Sequence, residues 1–95
     1  MNLLKETIEF LEENGKTIDD ITYIVGNDFG ISKDDFIRLA NYNYDDGYGS
    51  PEVATDLKLC GNGFWIERHE YDGSEWWEFK EQPKPLDIKS VTRLS

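Results

Sequence analysis

Ninety-five residues, 38% hydrophobic and 14% aromatic, suffice for one domain with a modest core and exclude a second. Twenty acids against ten bases give a net charge of −10, a field that repels nucleic acid and anionic lipid and attracts basic protein surfaces. The charge is uneven, about −12 over residues 1–81 and +2 over residues 82–95, so direct DNA or RNA binding through the body is not expected.

The N-terminal stretch MNLLKETIEFLEENG has acids every few residues and no long apolar run, so it reads as neither a signal peptide nor a membrane span. Asn2 to Asn14 reads as an amphipathic helix with Leu4, Ile8 and Leu11 at helical spacing, Leu3, Thr7 and Phe10 beside them, and Glu6, Glu9, Glu12 and Glu13 toward water. Gly15 closes it. Thr17 and Asp20 have capping-box spacing for a second helix, but the β-branched run Ile21, Thr22, Ile24 and Val25 favours a strand over 21–26. Ser32 with Asp35 makes a second box, opening a helix whose buried face is Phe36, Ile37, Leu39 and Ala40.

Residues 41–52, NYNYDDGYGSPE, are a loop by composition. Its Asp45, Asp46 and Tyr48 are candidate partner contacts, because ordered aromatics and carboxylates in loops often carry function. The alternative is a helix-to-sheet connection whose tyrosines cover the core edge.

From residue 56 to 81 the signals are those of a three-stranded meander, DLKLC, GFWIERHEY and SEWWEFKE, divided by Gly-Asn-Gly and Asp-Gly. With two-residue loops at Asn62-Gly63 and Asp72-Gly73, Leu59 lies opposite Ile66 and Ile66 opposite Phe79. One face then gathers Leu57, Leu59, Phe64, Ile66, Trp77 and Phe79. The other gathers Lys58, Cys60, Trp65, Glu67, His69, Tyr71, Trp76 and Glu78. A three-residue second loop would exchange the faces and bury Trp76 instead of Trp77. Glu67 faces Glu78 directly, an arrangement that needs compensation, with Lys58 the internal candidate. The predicted fold is therefore α+β: two helices on one face of a small antiparallel sheet, comprising residues 1–81, with a Pro-containing, mildly basic tail over 82–95.

Trp65, Tyr71 and Trp76 among Glu67, Glu70, Glu75 and Glu78 make a candidate surface for a basic partner. Packing of these aromatics under the tail or the 41–52 loop is the structural alternative. His69 with Asp56 across from it is the weaker candidate for a divalent ion such as zinc, since one imidazole with carboxylates lacks the nitrogen and sulfur ligands zinc sites usually have. Cys60 lies too many residue pairs away to join it. The single cysteine excludes an internal disulfide and fits a reducing cytoplasm. No nucleophile motif, phosphate loop or EF-hand spacing is present, so no catalytic residue and no cofactor is expected.

The stretches GNDFGIS, NYNYDDGYGSPEVATDL and GFWIERHEYDGSEWWEFKEQPKP resemble small uncharacterised proteins encoded by phages and prophages of low-GC Gram-positive bacteria, from about residue 20 onward. The resemblance implies a setting rather than a site: short acidic accessory proteins acting in the host cytoplasm, some of them anti-CRISPR proteins. A CRISPR effector nuclease holds nucleic acid in positively charged channels. The expectation is thus a non-enzymatic inhibitor of a basic host protein, such as a type II effector nuclease. The alternatives are a metal- or small-molecule-binding accessory enzyme, and a homodimeric structural or regulatory phage protein joined through the exposed tryptophans.

Overall fold

A computed structural model describes residues 1–44 and 53–94. Asp45, Asp46 and Tyr48, with the rest of the 41–52 loop beyond Tyr44, lie outside the described residues. Among the described residues, two α-helices pack on a five-stranded antiparallel sheet. The chain runs through α1 (Leu3–Glu13), a 3-10 turn (Ile18–Asp20), β1 (Ile21–Val25), β2 (Gly30–Ile31), α2 (Lys33–Ala40), β3 (Lys58–Gly61), β4 (Phe64–Tyr71) and β5 (Ser74–Glu81). The sheet order is β2-β1-β3-β4-β5, an α+β fold. None of these helices is long and apolar enough to cross a membrane.

α1 begins where the Asn2 side chain accepts the Lys5 amide and ends at Gly15 in the left-handed region, φ 74°. Its buried seam is Leu3, Thr7 and Leu11, rotated from the expected Leu4–Ile8–Leu11 line. A threonine centres this face because its hydroxyl is doubly used: it donates to the Leu3 carbonyl at 2.7 Å and accepts the Trp77 indole N–H at 3.0 Å. Both readings of Thr17–Asp20 survive in part. The Asp20 carboxylate accepts the Thr17 amide at 2.8 Å, yet the box opens only one 3-10 turn before the β-branched run takes over as β1.

Within β1 the pairing with β3 steps from Ile21↔Gly61 to Tyr23↔Cys60, so Thr22 is an extra residue in a bulge. The bulge turns both Ile21 and Ile24 inward, each 1% exposed, three residues apart where strict alternation would separate them. Gly26 then begins a tight reversal closed by Gly26 N–H to Phe29 O at 2.9 Å. A Cβ at Gly26 would lie 2.0 Å from the Phe29 ring, and β2 follows as a short strand that composition did not reveal.

α2 opens on Ser32, whose hydroxyl accepts the Asp35 amide at 3.0 Å. It buries Phe36 and Ala40 only. Leu39, expected in the core, is 54% exposed, because an i, i+4 stripe on a two-turn helix is narrow and Leu39 falls on its flank.

The two hairpins have the predicted register. Gly61 pairs with Phe64 and Tyr71 with Ser74, leaving the two-residue loops Asn62-Gly63 and Asp72-Gly73. Asp72 and Gly73 both take positive φ, 53° and 88°, as a type I′ turn requires. Leu59, Ile66 and Trp77 join α1 and α2 side chains in one core, with Phe79 at its margin. Past Glu81, Gln82 donates to Gly63 O at 2.9 Å, and residues 83–94 form no strand and are exposed.

Candidate functional site

β4 and β5 carry the chemistry, and their alternation sorts it into two faces. On the helix-facing side, beyond Ile66 and Trp77, stand Arg68 and Glu75, with side chains 1% and 2% exposed. Arg68 Nη1 donates to Glu6 Oε2 of α1 at 3.1 Å. Nη2 donates to the Tyr44 hydroxyl at 3.0 Å and reaches Glu75 Oε1 at 3.5 Å. Tyr44 in turn donates a short hydrogen bond to Glu6 Oε1, and Glu75 Oε1 accepts the Val53 amide at 3.0 Å. The guanidinium carbon lies 4.9 Å from the Trp77 ring centroid and 5.5 Å from that of Tyr44. Burial, reinforced by the Glu6 hydrogen bond, pushes the Tyr44 phenol well above its ordinary range.

This buried network corrects two expectations. Glu6, expected in water, is tied down, and Glu75 is 4% exposed, so it is no partner contact. Glu70 also lies on the helix-facing side of the strand, in register with Glu75, but at the end of the sheet, where it is exposed. A signal for Arg68 was present: the alternation that turns Ile66 inward turns Arg68 inward as well, opposite Trp77.

The opposite face is the aromatic–carboxylate stripe. Trp65 Nε1 donates to Glu67 Oε1 at 2.7 Å, and Trp76 Nε1 to Glu78 Oε2 at 3.1 Å. Each indole serves the acid two residues along its own strand, on the same face. The remaining oxygens converge on one atom: His69 Nε2 is 2.9 Å from Glu67 Oε2 and 3.5 Å from Glu78 Oε1. Lys80 Nζ adds a contact to Glu78 Oε1 at 3.3 Å, and the His69 ring stacks near Trp76, centroids 6.3 Å apart. The Trp65 and Trp76 indole hydrogen bonds are the main reasons that the Glu67 and Glu78 carboxyls titrate below the usual carboxylate range. The cross-strand Glu67–Glu78 repulsion is met by the Lys80 ammonium and by the hydrogen bonds of His69 and the two indoles. Lys58 stands in register with Glu67 but makes no ion pair with it among the described residues.

His69 does not meet Asp56, whose carboxylate accepts the Asn27 amide at 2.8 Å. Among the described residues no group of three His, Cys, Asp or Glu side chains is arranged to hold a metal ion, and no hydroxyl or thiol hydrogen-bonds to His69. Cys60 is buried, under Tyr23 and Trp65, its register neighbours.

What remains open is the distal tip of the β4–β5 ribbon. Glu70 and Asp72 are exposed there and their carboxylates have no hydrogen-bond or ion-pair partner among the described residues, unlike those of Glu67 and Glu78. Between them Tyr71 is 78% exposed, and Trp76 is 37% exposed two pairs away. Comparison with protein-family models, with curated proteins and with solved structures finds no match to the chain.

Proposed function

We propose that the chain is a non-catalytic acidic binding protein that covers a basic, nucleic-acid-handling surface of a host protein. In the phage or prophage setting that the sequence resemblance implies, this is inhibition of a type II CRISPR effector nuclease in the host cytoplasm. The observation that supports the reading is the tip Glu70-Tyr71-Asp72 with Trp76. There, the exposed carboxylates of Glu70, on the helix-facing side, and Asp72, in the turn, border the exposed Tyr71 ring on the outer face, at the end of a ribbon packed through Arg68 and Trp77. Aromatic anchors with an anionic rim suit a basic groove: the rings supply contact area, and the acids replace phosphate charge. Along the middle of the stripe the acids are already occupied, so the tip rather than Glu67 and Glu78 carries the contact.

The test is DNA cleavage by a purified type II effector nuclease, titrated with the chain. The expected result is stoichiometric inhibition that Glu70→Lys/Asp72→Lys with Tyr71→Ala reduces at least about tenfold, while Glu9→Lys/Glu12→Lys on α1 changes it little. Equal effects of the two sets would remove the tip from the interface, and undiminished cleavage at excess protein would remove this nuclease as the partner.

A further inference from the structure

The two outer strands of the sheet are unlike. β2 is two residues long, whereas β5, at the opposite edge, runs eight residues over Ser74–Glu81. No bulge interrupts the β4–β5 register, and the first proline, Pro83, comes only after the strand has ended. Short length, bulges and prolines are among the devices that keep an edge from accepting another strand. β5 has none of them.

The hairpin turn decides which backbone groups this edge presents. Across a two-residue loop the flanking residues exchange both hydrogen bonds, here Tyr71 with Ser74. Trp76, Glu78 and Lys80 therefore bond toward β4, in register with His69, Glu67 and Trp65. The same phase appears at both sides of the ribbon: Gln82 N–H donates to Gly63 O at 2.9 Å, and Arg68 N–H to Leu57 O at 3.2 Å. The N–H and C=O groups of Trp77, Phe79 and Glu81 consequently point away from β4. None of them has a backbone partner among the described residues. Nearer the tip, the Val53 amide meets the Glu75 side chain, so the open stretch is 77–81. The tail leaves it open, since residues 83–94 form no strand and are exposed.

We infer that β5 of one copy pairs antiparallel with β5 of a second copy, centred on Phe79, to give a two-fold dimer with one continuous sheet.

Charge selects that register. With Phe79 opposite Phe79, the outward groups of Trp77 meet those of Glu81 on both sides of the axis. On the outer face Glu78 then stands opposite Lys80 twice, because the two-fold exchanges the strands. Within each strand Lys80 Nζ already lies 3.3 Å from Glu78 Oε1, so opposite charges alternate both along and across the pair. Moving the axis to residue 78 sets Glu78 against Glu78, and moving it to residue 80 sets Lys80 against Lys80. Like charges directly opposite are destabilising. An axis at Trp77 sets Phe79 against Glu75, where Val53 arrives, and leaves Glu78 and Lys80 without each other. On the helix-facing side, Phe79 is half-buried at the core margin and stacks on Phe64, centroids 5.8 Å apart. A second Phe79 beside it extends that apolar margin across the axis. Antiparallel pairing points the two ribbon tips in opposite directions, so Glu70, Tyr71 and Asp72 stay free in both copies.

Hydrogen exchange and sedimentation velocity on the full chain, from micromolar to millimolar concentration, test this. The mass is expected to rise from 11.1 kDa toward twice that value. The amides of Trp77, Phe79 and Glu81 gain protection of about tenfold or more over the same range. Glu81→Pro removes an outward donor at the exposed end of β5, where no bond to β4 is lost, and weakens association about tenfold or more. Glu78→Lys and Lys80→Glu each weaken it about tenfold, since symmetry applies each change twice. Glu78→Lys does so although it lowers the net negative charge. In an equimolar mixture of these two variants every facing pair is again opposite in sign, and the mixture associates more strongly than either variant alone. A monomer mass up to millimolar concentration overturns the inference. So does a dimer whose Trp77, Phe79 and Glu81 amides exchange as in the monomer, or a mixture that recovers nothing.

Discussion

Arg68 is the residue on which the ribbon depends. A guanidinium in an apolar core is tolerated only when its charge is met. Here Glu6, Glu75 and the Tyr44 hydroxyl meet its two terminal nitrogens from three parts of the chain, while Trp77 and Tyr44 rings cover it and Nε is buried without a hydrogen-bond partner among the described residues. Removing the cation leaves two acids facing each other with no counter-charge, so Arg68→Ala is expected to cost about 3–5 kcal/mol in urea unfolding. Arg68→Met together with Glu75→Leu should cost less, because the fully buried Glu75 charge goes with its partner and only the partly exposed Glu6 loses its counter-charge. A loss for the pair equal to that for Arg68→Ala would show that packing, not charge, is what Arg68 supplies. Tyr44 adds a pH signature. Its folded-state pKa lies above the ordinary 10.0, so the unfolded chain ionises first. Stability from this group is complete below about pH 10 and falls as pH rises above it. Tyr44→Phe should remove that alkaline decline, measured as the midpoint of urea unfolding between pH 8 and 11.

At the scale of the element, the β4–β5 hairpin divides the tandem tryptophans between two environments. Trp77 is 3% exposed and Trp76 37%, a consequence of the two-residue Asp72-Gly73 turn. Trp77→Ala empties a core position and breaks the indole bond to Thr7, and is expected to cost about 3–5 kcal/mol. Trp76→Ala is expected to cost about 1 kcal/mol or less, with its main effect on partner binding. Guanidinium chloride unfolding of the two variants distinguishes them, and similar costs would contradict the register. Along the outer face the same hairpin spaces Trp65, Glu67, His69, Trp76 and Glu78 so that each indole orients one carboxylate toward the imidazole. The acids of that stripe are already held by the indoles, the imidazole and Lys80, which leaves the acids at the tip as the unpartnered ones.

For the whole molecule, charge decides what the surface meets. The body carries about −12 over residues 1–81, and exposed acids on α1, α2 and the ribbon tip project it outward. Capture of a basic partner should therefore weaken steeply with ionic strength, because exposed charges are screened beyond about 8 Å at physiological salt. Raising salt from about 50 to 500 mM in a binding titration is expected to slow association more than it speeds dissociation. A salt-independent association rate would mean that the aromatic tip alone drives contact.

Much of this fold is legible along the chain because its strongest signals are local. Glycine turns fix loop length, loop length fixes register, and a period of two then assigns faces. This is why Leu59, Ile66, Phe79 and the split of Trp76 from Trp77 follow from the order of residues alone. The Gly15 stop and the Ser32 box place an end of each helix for the same reason. What the chain order does not carry is anything decided by side chains meeting from distant segments. The Thr22 bulge, the rotation of α1 onto Thr7, the exposure of Leu39, and the meeting of Glu6, Tyr44, Arg68 and Glu75 each depend on which surfaces pack together. Charge pattern shows how many acids there are. Only the tertiary structure decides which are buried against an arginine, which are held by a histidine, and which face water at the ribbon tip, because a carboxylate's role is set by its neighbours in space.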